Sequence, residues 1–556
     1  MAGMGSLYVG ASGLRSNQNA LNTTAHNLAN VDTKGYTRQQ VLMSDLDYNT
    51  LSQAAISAKQ VGLGVEISEV RQVRDAFLDK SHRLETGRQA FYETSYGVIS
   101  EIETLMGELE GVAFQNSLSA LWESMEEFSK DPSNTVNQNL VIQKSSAFIE
   151  RAVAVQTGLK EYQVNINQQV SDKVDRINKI GEEIRLLNKQ ISKIESGGVE
   201  SANDLRDSRN ILLDELSAMA KISYSEDGNG VVTVNLEDEQ FVTKEFVNKM
   251  GKNVDTVTGF VTPVWTHLDS TPVYDYTVDV SSELNTDIGS LKALVLARGD
   301  KVGNYADITG ITAETYNDTV GMSIIQNIEA EFDQLVHGIT TTVNNLLCPN
   351  KQITDDFGNV YQVWDEEKGS VGSDGQKPGI ELFTRANVNR YTEKQMVVKG
   401  TVHTYYVYNE EDLSDTTTQY TTGNIIINEK MSKNGSLMPH LKQDGSVDYD
   451  LGSALSNAWT QNLLSLNPNS TETTSFSSYY SRLVGAISSD GYVFSGIAKS
   501  LEQTTTSIDN QRQQIIGVSS DEELTNMIKF QNAYNAASRY MNVINEMLEL
   551  LCTQLA

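Results

Sequence analysis

Cysteine is nearly absent from this chain, because only Cys348 and Cys552 occur among its 556 residues. Neither belongs to a C-x-x-C pair, so the sequence predicts no disulfide framework and no zinc ribbon. No run approaches the ~18 consecutive apolar residues that a membrane-spanning helix requires. The first 30 residues contain one cation, Arg15, and no apolar h-region, so we expect no conventional secretory signal peptide. Low cysteine use fits either a cytosolic protein or a protein that is exported unfolded.

Positive charge is scarce as well. The chain has 43 Lys and Arg against 73 Asp and Glu, which gives a formal net charge of −30. Phosphate binding needs a basic face, so this balance argues against a nucleic-acid partner. Strong acidity is typical of a solvated surface that keeps a protein soluble. The length predicts two to four domains, since one core rarely extends over so many residues.

Sequence patterns for catalysis are also missing. The six histidines form no H-E-x-x-H, and the chain contains no G-x-S-x-G and no phosphate-binding loop. The acidic stretch from Asp355 to Asp374 does not have the spacing of a twelve-residue calcium loop, so we interpret it as a solvated loop. The sequence therefore predicts no enzyme, no catalytic residue, no cofactor and no metal ion.

A heptad pattern is present at each end of the chain. Near the N-terminus, the leucine row is Leu7, Leu14, Leu21 and Leu28, and the second row is Met4, Ala11, Gln18 and Ala25. Near the C-terminus, the two rows are Met527, Tyr534, Met541, Leu548 and Leu555, and Phe530, Ala537, Ile544 and Leu551. A helix from Asp521 to Leu555 would be ~52 Å long. It cannot bury its apolar stripe against itself, so it needs a partner helix.

Between the ends, helical and strand-like patterns alternate. Helical seams cover 177–194, 203–220, 325–346 and the region after 476, whereas strand-like sequence covers 222–286 and 395–428. These patterns predict an α+β, multidomain fold with a terminal α-helical coiled-coil domain, a helical-bundle domain and central mainly-β domains. The predicted boundaries are 1–60 plus 505–556 for the terminal helical domain, 61–220 plus 290–348 and 450–504 for the helical rod, and 221–289 and 350–449 for the β-rich part.

The residues after the first heptads carry a resemblance to a known family. Leu28 to Gln39 read L-A-N-V-D-T-K-G-Y-T-R-Q and resemble the ANxxTxGYxRQ signature of bacterial flagellar rod, hook and hook-associated proteins. At the other end, 517–524 and 530–539 resemble the matching end motif of the same family. Both motifs together, each at its own terminus, are far more specific than either alone.

Two interior segments resemble the hook-associated members in particular. They are Leu121-Trp122-Glu123-Ser124, followed by Asp131-Pro132-Ser133, and the run from Asn203 to Ser217. Rod and hook proteins lack this interior helical region. In the second segment, Ser208 and Asn210 stand where the family usually has Gln and Asp.

The resemblance implies a structural subunit at the junction of flagellar hook and filament. It implies nested terminal helices that form an inner tube, and β domains that face outward. It also implies a homo-oligomeric ring or helical layer, with the hook protein, the second junction protein and an export chaperone at the C-terminus as partners. The expected location is extracellular, after export through the flagellar type III apparatus without a cleaved signal.

The expected subunit-interaction residues come from the two seams and the loop between them. They are Leu7, Leu14, Leu21, Leu28, Asn30, Gly35, Tyr36, Arg38, Phe530, Tyr534, Met541, Ile544, Leu548 and Leu551. In the loop, Gly35 would supply an unusual backbone angle, and Tyr36 and Arg38 would touch a neighbouring subunit. The alternative is an ordinary helix-exit turn with an exposed aromatic.

Two other functions remain open from the sequence. The chain could be another flagellar axial subunit of the hook or rod, or a surface-displayed enzyme or adhesin whose central part, about 240–450, does the work. We also expect poorly ordered termini in the free monomer. Four buried leucines contribute on the order of 6–12 kcal/mol, which does not offset the ordering of some 25 residues at about 1–2 kcal/mol each.

Overall fold

The computed structural model describes residues 2–53, 58–106, 114–198 and 200–555. The chain begins with a long helix, α1, and continues into short antiparallel strands that lie beside it. These elements are α1 (Ala2–Ala29), β1 (Gln39–Asp45), β2 (Asn49–Gln53), β3 (Ala58–Val61) and β4 (Val65–Gln72). Strand β1 pairs with β4, and β2 pairs with β3.

Strands β1 and β2 and most of β3 lie within 1–60, the segment that the sequence analysis assigned to the terminal helical domain. The strands are four to eight residues long, and fewer than half of their residues are apolar. The β1–β4 ribbon packs on α1 rather than on a large core. A ribbon of that kind needs little apolar alternation, so the pattern in the sequence is weak. The division into three domains stays a prediction.

A set of long helices follows. It consists of α2 (Ala76–Met106), α3 (Phe114–Lys130), α4 (Thr135–Glu195) and α5 (Asn203–Met219). Helix α4 has 61 residues, so the seam predicted at 177–194 is only its C-terminal third. The side chain of Asn134 caps its N-terminus by accepting a hydrogen bond from the backbone N–H of Val136. Helix α5 contains the whole of the second interior motif.

The first β-rich part contains two three-stranded antiparallel sheets. Their strands are β5 (Ile222–Glu226), β6 (Val232–Leu236), β7 (Glu239–Val242), β8 (Met250–Val254), β9 (Val261–Trp265) and β10 (Thr271–Pro272). The order is β5-β6-β7 in one sheet and β10-β9-β8 in the other. Three helices then return the chain to the helical part, namely α6 (Ser290–Arg298), α7 (Ala313–Asp318) and α8 (Ile325–Leu347).

The second β-rich part is a four-stranded sheet and a two-stranded ribbon. Its strands are β11 (Asn350–Thr354), β12 (Val360–Trp364), β13 (Phe383–Arg385), β14 (Tyr391–Val398), β15 (Thr401–Tyr408) and β16 (Ile425–Ile427). The four-stranded order is β11-β12-β15-β14, and β13 pairs with β16. The chain ends with α9 (Glu429–Lys433), α10 (Tyr449–Ala458), α11 (Phe476–Ile516) and α12 (Ser520–Leu555).

One large hydrophobic core joins the helical and β-rich parts. Its centre is an aromatic cluster in which the Phe114 ring lies 5.4 Å from Phe148, 4.9 Å from Phe332 and 5.0 Å from Tyr480. These four residues come from α3, α4, α8 and α11, so the cluster joins segments far apart in sequence. No described residue of α1 or α12 belongs to this core. Across the described part of the chain, none of the helices is long and apolar enough to cross a bilayer.

Candidate subunit-assembly site

The two ends of the chain pack against each other as an antiparallel pair of helices. Gly10 of α1 lies against Met541 of α12, and Gly13 lies against Ala537. A Cβ atom at Gly10 would come within 2.5 Å of the Met541 sulfur, so any larger residue at position 10 would displace the Met541 side chain. The pairing predicted from the heptads is therefore made inside one subunit.

The leucine row of α1 lies at this packed side. Leu7, Leu14, Leu21 and Leu28 are all half-buried. In the second row, Ala11, Gln18 and Ala25 are exposed within the subunit, and Met4 lies outside the residues whose side chains are described. Helix α1 instead buries the small and polar residues Gly10, Ser16, Ala20, Thr24 and Asn27. The reason is that α1 touches both α12 and the β1–β4 ribbon, and these two contacts need small side chains rather than a second apolar row.

The predicted residues of α12 divide between two faces. Phe530, Tyr534, Met541, Ile544 and Leu548 are half-buried, whereas Leu551 is 55% exposed. Leu551 belongs to a second apolar stripe, which we call the outer stripe and which comprises Tyr540, Val543, Met547, Leu550 and Leu551. These side chains are 41–60% exposed and lie within an arc of roughly 100° at 100° per residue. Within the described subunit, the outer stripe faces solvent.

The loop after α1 is held by the side chain of Asn27, which the sequence analysis did not single out. The Asn27 carboxamide oxygen accepts hydrogen bonds from the Tyr36 hydroxyl at 2.8 Å and the Gln39 backbone N–H at 3.0 Å. Its amide group donates to the Gln39 carbonyl at 2.8 Å. Burial and the nearby carboxylates of Asp204 and Asp207 raise the pKa of Tyr36, so its hydroxyl stays a proton donor.

The other predicted loop residues also have partners inside the subunit. Asn30 donates its side-chain amide to the His26 carbonyl at 3.0 Å, at the end of α1. Gly35 has a φ of +80°, and a Cβ there would lie 2.6 Å from the Ile211 side chain. The left-handed angle confirms the predicted backbone role of Gly35. A contact of Tyr36 or Arg38 with a neighbouring subunit stays a prediction.

Arg38 links this loop to the junction between α11 and α12. Its guanidinium lies 2.9 Å from the Glu522 carboxylate. Its backbone N–H donates to the Ile516 carbonyl at 2.8 Å, and its own carbonyl accepts from Val73 at 3.0 Å. The N-terminal signature and the C-terminal end motif therefore meet in space.

Helix α5 joins this site to the rest of the molecule. The buried carboxylate of Asp207 accepts from the Thr37 backbone N–H at 3.1 Å, the Thr37 hydroxyl at 2.6 Å and the Gln72 amide at 2.8 Å. Burial raises the pKa of Asp207, although these hydrogen bonds act against that shift. One turn earlier, the Asn203 amide donates to the Val70 carbonyl at 2.9 Å.

A network of ion pairs continues from the C-terminal half of α5. Asp214 lies 2.7 Å from Arg83 of α2 and 2.8 Å from Arg512 of α11. Arg512 also lies 2.8 Å from Asp79. Burial alone would raise the pKa of Asp214, but Arg83 and Arg512 outweigh it and hold the pKa below its ordinary value. The sequence analysis identified the motif that contains Asp207 and Asp214. It did not predict that Arg83 and Arg512 form ion pairs with Asp214.

Comparisons with known proteins agree with both end motifs. Residues 7–37 match the family model of the flagella basal body rod protein, and 510–551 match that of the flagellar basal body rod FlgEFG protein C-terminal region. A 78-residue stretch, 13% of this chain and 17% of the relative, is 37% identical to the flagellar hook protein FlgE of Treponema pallidum. Both ends of the chain are therefore similar to the ends of flagellar rod and hook proteins.

The interior is similar to the hook-associated members in particular. Residues 99–358 match the flagellar hook-associated protein FlgK helical domain. The chain is 26% identical to flagellar hook-associated protein 1 of Bacillus subtilis over 96% of its length and 95% of the relative, and 20% identical to that of Salmonella typhimurium over 97% and 98%. The flagellar hook junction protein FlgK of Burkholderia pseudomallei has the same fold, with a TM-score of 0.53 and 12% identity over 79% of this chain and all of that one. Over nearly its whole length, the chain is therefore similar to flagellar hook-associated protein 1.

Proposed function

We propose that this chain is a structural subunit of the bacterial flagellum that joins the hook to the filament and assembles through its terminal helices. The observation that carries the proposal is the outer stripe of α12. The inner face of α12 is used within the subunit, whereas the outer stripe leaves five large apolar side chains in solvent. A contiguous apolar face of this kind is typical of a surface that packs against another protein.

The partners that we propose follow from the family. Copies of this chain form a ring or helical layer, with the hook protein on one side and the second junction protein on the other. An export chaperone binds the C-terminal helix, since a free subunit would otherwise present the outer stripe to water. The proposed location is extracellular, after export without a cleaved signal. The proposed role is structural, with no catalytic residue.

Removal of 521–556 tests the role of α12 as a whole. We expect a folded centre, cells that still build hooks, and flagellin that is lost to the medium. Normal filaments on cells with this truncation would contradict the proposal.

A finer test changes only the outer stripe. Met547→Glu with Leu550→Glu places two charges where we expect apolar contact between copies, so the same loss of filaments should follow. The matched control, Asn535→Glu with Asn542→Glu, adds the same charge to exposed positions of α12 away from the stripe. Microscopy and immunoblots of flagellin in the medium give the readout, and circular dichroism checks the fold. Equal filament yields from both double variants would exclude the outer stripe.

A further inference from the structure

The segment between α6 and α8 lies along the N-terminal half of α8. It comprises residues 300–323, includes α7 and two short 3-10 helices, and is called the strap from here on. A small apolar cluster outside the large core fastens it. The members of this cluster are Ile308, Tyr316 and Val320 of the strap and Ala330 of α8. A segment that is held by so small a cluster can open locally while the rest of the chain stays folded.

One face of α8 also holds the backbone of the strap. Three side chains of α8 accept hydrogen bonds from backbone N–H groups of the strap. The pairs are the Asp300 N–H with Gln326 at 3.0 Å, the Gly303 N–H with Glu329 at 2.7 Å and the Tyr305 N–H with Asp333 at 3.0 Å. The acceptors are three and four residues apart, so they lie on the same side of the helix. A Cβ atom at Gly303 would collide with the Gln326 carbonyl oxygen, so the strap lies directly on the α8 backbone there.

Glu329 is poorly placed to carry a negative charge in the closed strap. Its side chain is 1% exposed, its second carboxylate oxygen has no hydrogen-bond partner, and no ion pair among the described residues includes it. Asp333 is also buried, but both of its oxygens accept hydrogen bonds, one from Tyr305 and the other from the backbone and hydroxyl of Thr422. An unpaired buried carboxylate is costly as an anion. The closed strap therefore favours the neutral, protonated form of Glu329.

The charged groups around Glu329 act in both directions. Burial raises its pKa most, Asp333 of α8 and Asp307 of the strap raise it further, and Lys160 of α4 lowers it. Lys301 lies 2.5 Å from Asp307 and offsets part of the charge of that aspartate. The result is a pKa of about 8 for Glu329, against an ordinary value of 4.5. When the strap opens, water reaches Glu329 and its pKa falls towards the ordinary value, so opening releases a proton between these two pH values.

The hydrogen bond to the strap does not itself require an acid. Gln326 lies three residues earlier on the same face of α8, and its neutral carboxamide makes the same kind of contact with Asp300. A glutamate at position 329 thus adds a titrating proton to a contact that a glutamine would also make. We propose that Glu329 acts as a proton-sensitive latch, so that the strap is closed at low pH and opens more often as the pH rises. Opening uncovers the apolar cluster on α8. This inference does not depend on the proposed function.

Amide hydrogen exchange of Gly303 in the full chain tests the latch. When closing is fast, the exchange rate is the product of the opening equilibrium and the intrinsic rate, and hydroxide raises the intrinsic rate about tenfold per pH unit. Release of one proton on opening adds up to about tenfold more. Between pH 5 and pH 7, we therefore expect the rate to rise by up to about a hundredfold per unit. Glu329→Gln keeps the acceptor and removes the proton, so the rise should return to about tenfold.

Three controls separate the latch from general loosening of the chain. Glu161→Gln, at an exposed position of α4, should keep the steep pH dependence. Val320→Ala weakens the apolar cluster, so it should raise the exchange rate of Gly303 at every pH without a change of slope. The amide of Ile177, in the core of α4, reports global unfolding and should exchange far more slowly than that of Gly303.

Two results would overturn the inference. One is the same pH dependence at Gly303 in the unmodified chain and in the Glu329→Gln chain, which would mean that opening releases no proton from Glu329. The other is equal exchange rates at Gly303 and Ile177, which would mean that the strap does not open separately from the core. Neither result bears on assembly through the terminal helices.

Discussion

Asn27 fixes the loop that follows α1 through a single buried carboxamide. Its oxygen accepts hydrogen bonds from the Tyr36 hydroxyl and the Gln39 backbone N–H, and its amide group donates one to the Gln39 carbonyl. An asparagine suits this position because one side chain supplies a donor and an acceptor together. The exit angle of the chain from α1, and with it the position of Arg38 against α12, depends on these hydrogen bonds.

Asn27→Ala should loosen this loop without unfolding the core. We expect the free energy of local opening at Gln39 to fall by about 1–3 kcal/mol, because buried polar groups lose their partners. Amide hydrogen exchange at 36–39 measures it. Asn22→Ala, at an exposed position of α1, is the matched control and should change nothing. Unaltered exchange at Gln39 in the Asn27 variant would contradict this account.

The same loop also requires a left-handed backbone angle at Gly35. Gly35→Ala should cost about 1–2 kcal/mol for the left-handed angle alone, and more if the new Cβ, 2.6 Å from Ile211, is not accommodated. Addition of Ile211→Ala should recover only the steric part. Thermal unfolding and exchange at 33–38 distinguish the two parts. Full recovery in the double variant would mean that the backbone angle does not matter.

At the scale of the elements, α5 connects segments that lie far apart in the sequence. We call α5 together with these contacts the bracket. The first two turns of α5 hold the β1–β4 ribbon through Asn203 and Thr37 through Asp207, and its C-terminal half holds α2 and α11 through Asp214. This arrangement explains why the interior motif carries so many polar residues on a largely buried helix. The bracket thereby connects the loop beside the paired ends with α2 and α11.

Arg512→Leu should weaken this bracket. Its side chain is 9% exposed and pairs with both Asp79 and Asp214, and removal of one partner from a buried ion pair costs about 3–5 kcal/mol. We expect a loss near the lower value, because Arg74 and Arg83 still face these carboxylates. Denaturant unfolding measures the loss. Lys499→Ala, on the exposed side of α11, is the control, and an equal effect of the two variants would contradict the bracket.

At the scale of the whole molecule, buried glutamates give stability a distinct pH dependence. Burial raises the pKa of Glu329 to about 8 and those of Glu237, Glu331 and Glu381 to about 7, from 4.5. The folded chain then binds protons more tightly than the unfolded chain. This contribution to stability is complete below about pH 4.5 and is lost as the pH rises through 7 to 8.

The free energy of unfolding should therefore fall between pH 5 and pH 8. Denaturant midpoints measured across this range give the slope. Glu329→Gln keeps an acceptor for the Gly303 backbone N–H, which now lies 2.7 Å from the carboxylate, and removes one titrating group, so the slope should decrease. Glu161→Gln, an exposed glutamate of α4, should leave it unchanged. A stability that rises with pH in this range would contradict the assignment.

The terminal helices should behave differently from the core in the free subunit. Neither α1 nor α12 shares the large core among the described residues, so we expect their amides to exchange much faster than those of α4 and α8. Assembly should protect them, since the outer stripe is then covered. Hydrogen exchange on monomer and on particles tests this difference. Strong protection of 7–28 and 525–550 in the monomer would exclude folding of the ends on assembly.

The sequence by itself determined the helical ends, the α+β class and the resemblance to hook-associated proteins, because each depends on local periodicity or on a contiguous motif. Heptads reveal that α12 needs a partner, and the loop signature reveals the special angle of Gly35. Both features are carried by neighbouring residues, so they can be read without knowledge of the fold.

Only the tertiary structure decided which face of each terminal helix is used within the subunit. The heptad rows of α1 and α12 are alike as patterns, yet α1 buries Gly10 and Ala20 instead of its second row, and Leu551 belongs to the outer stripe. The partners of Asp207 and Asp214 were equally hidden, because Thr37 and Arg512 are 170 and 298 residues away from them. Periodicity shows that a face is apolar, but the packing of distant elements selects what covers it.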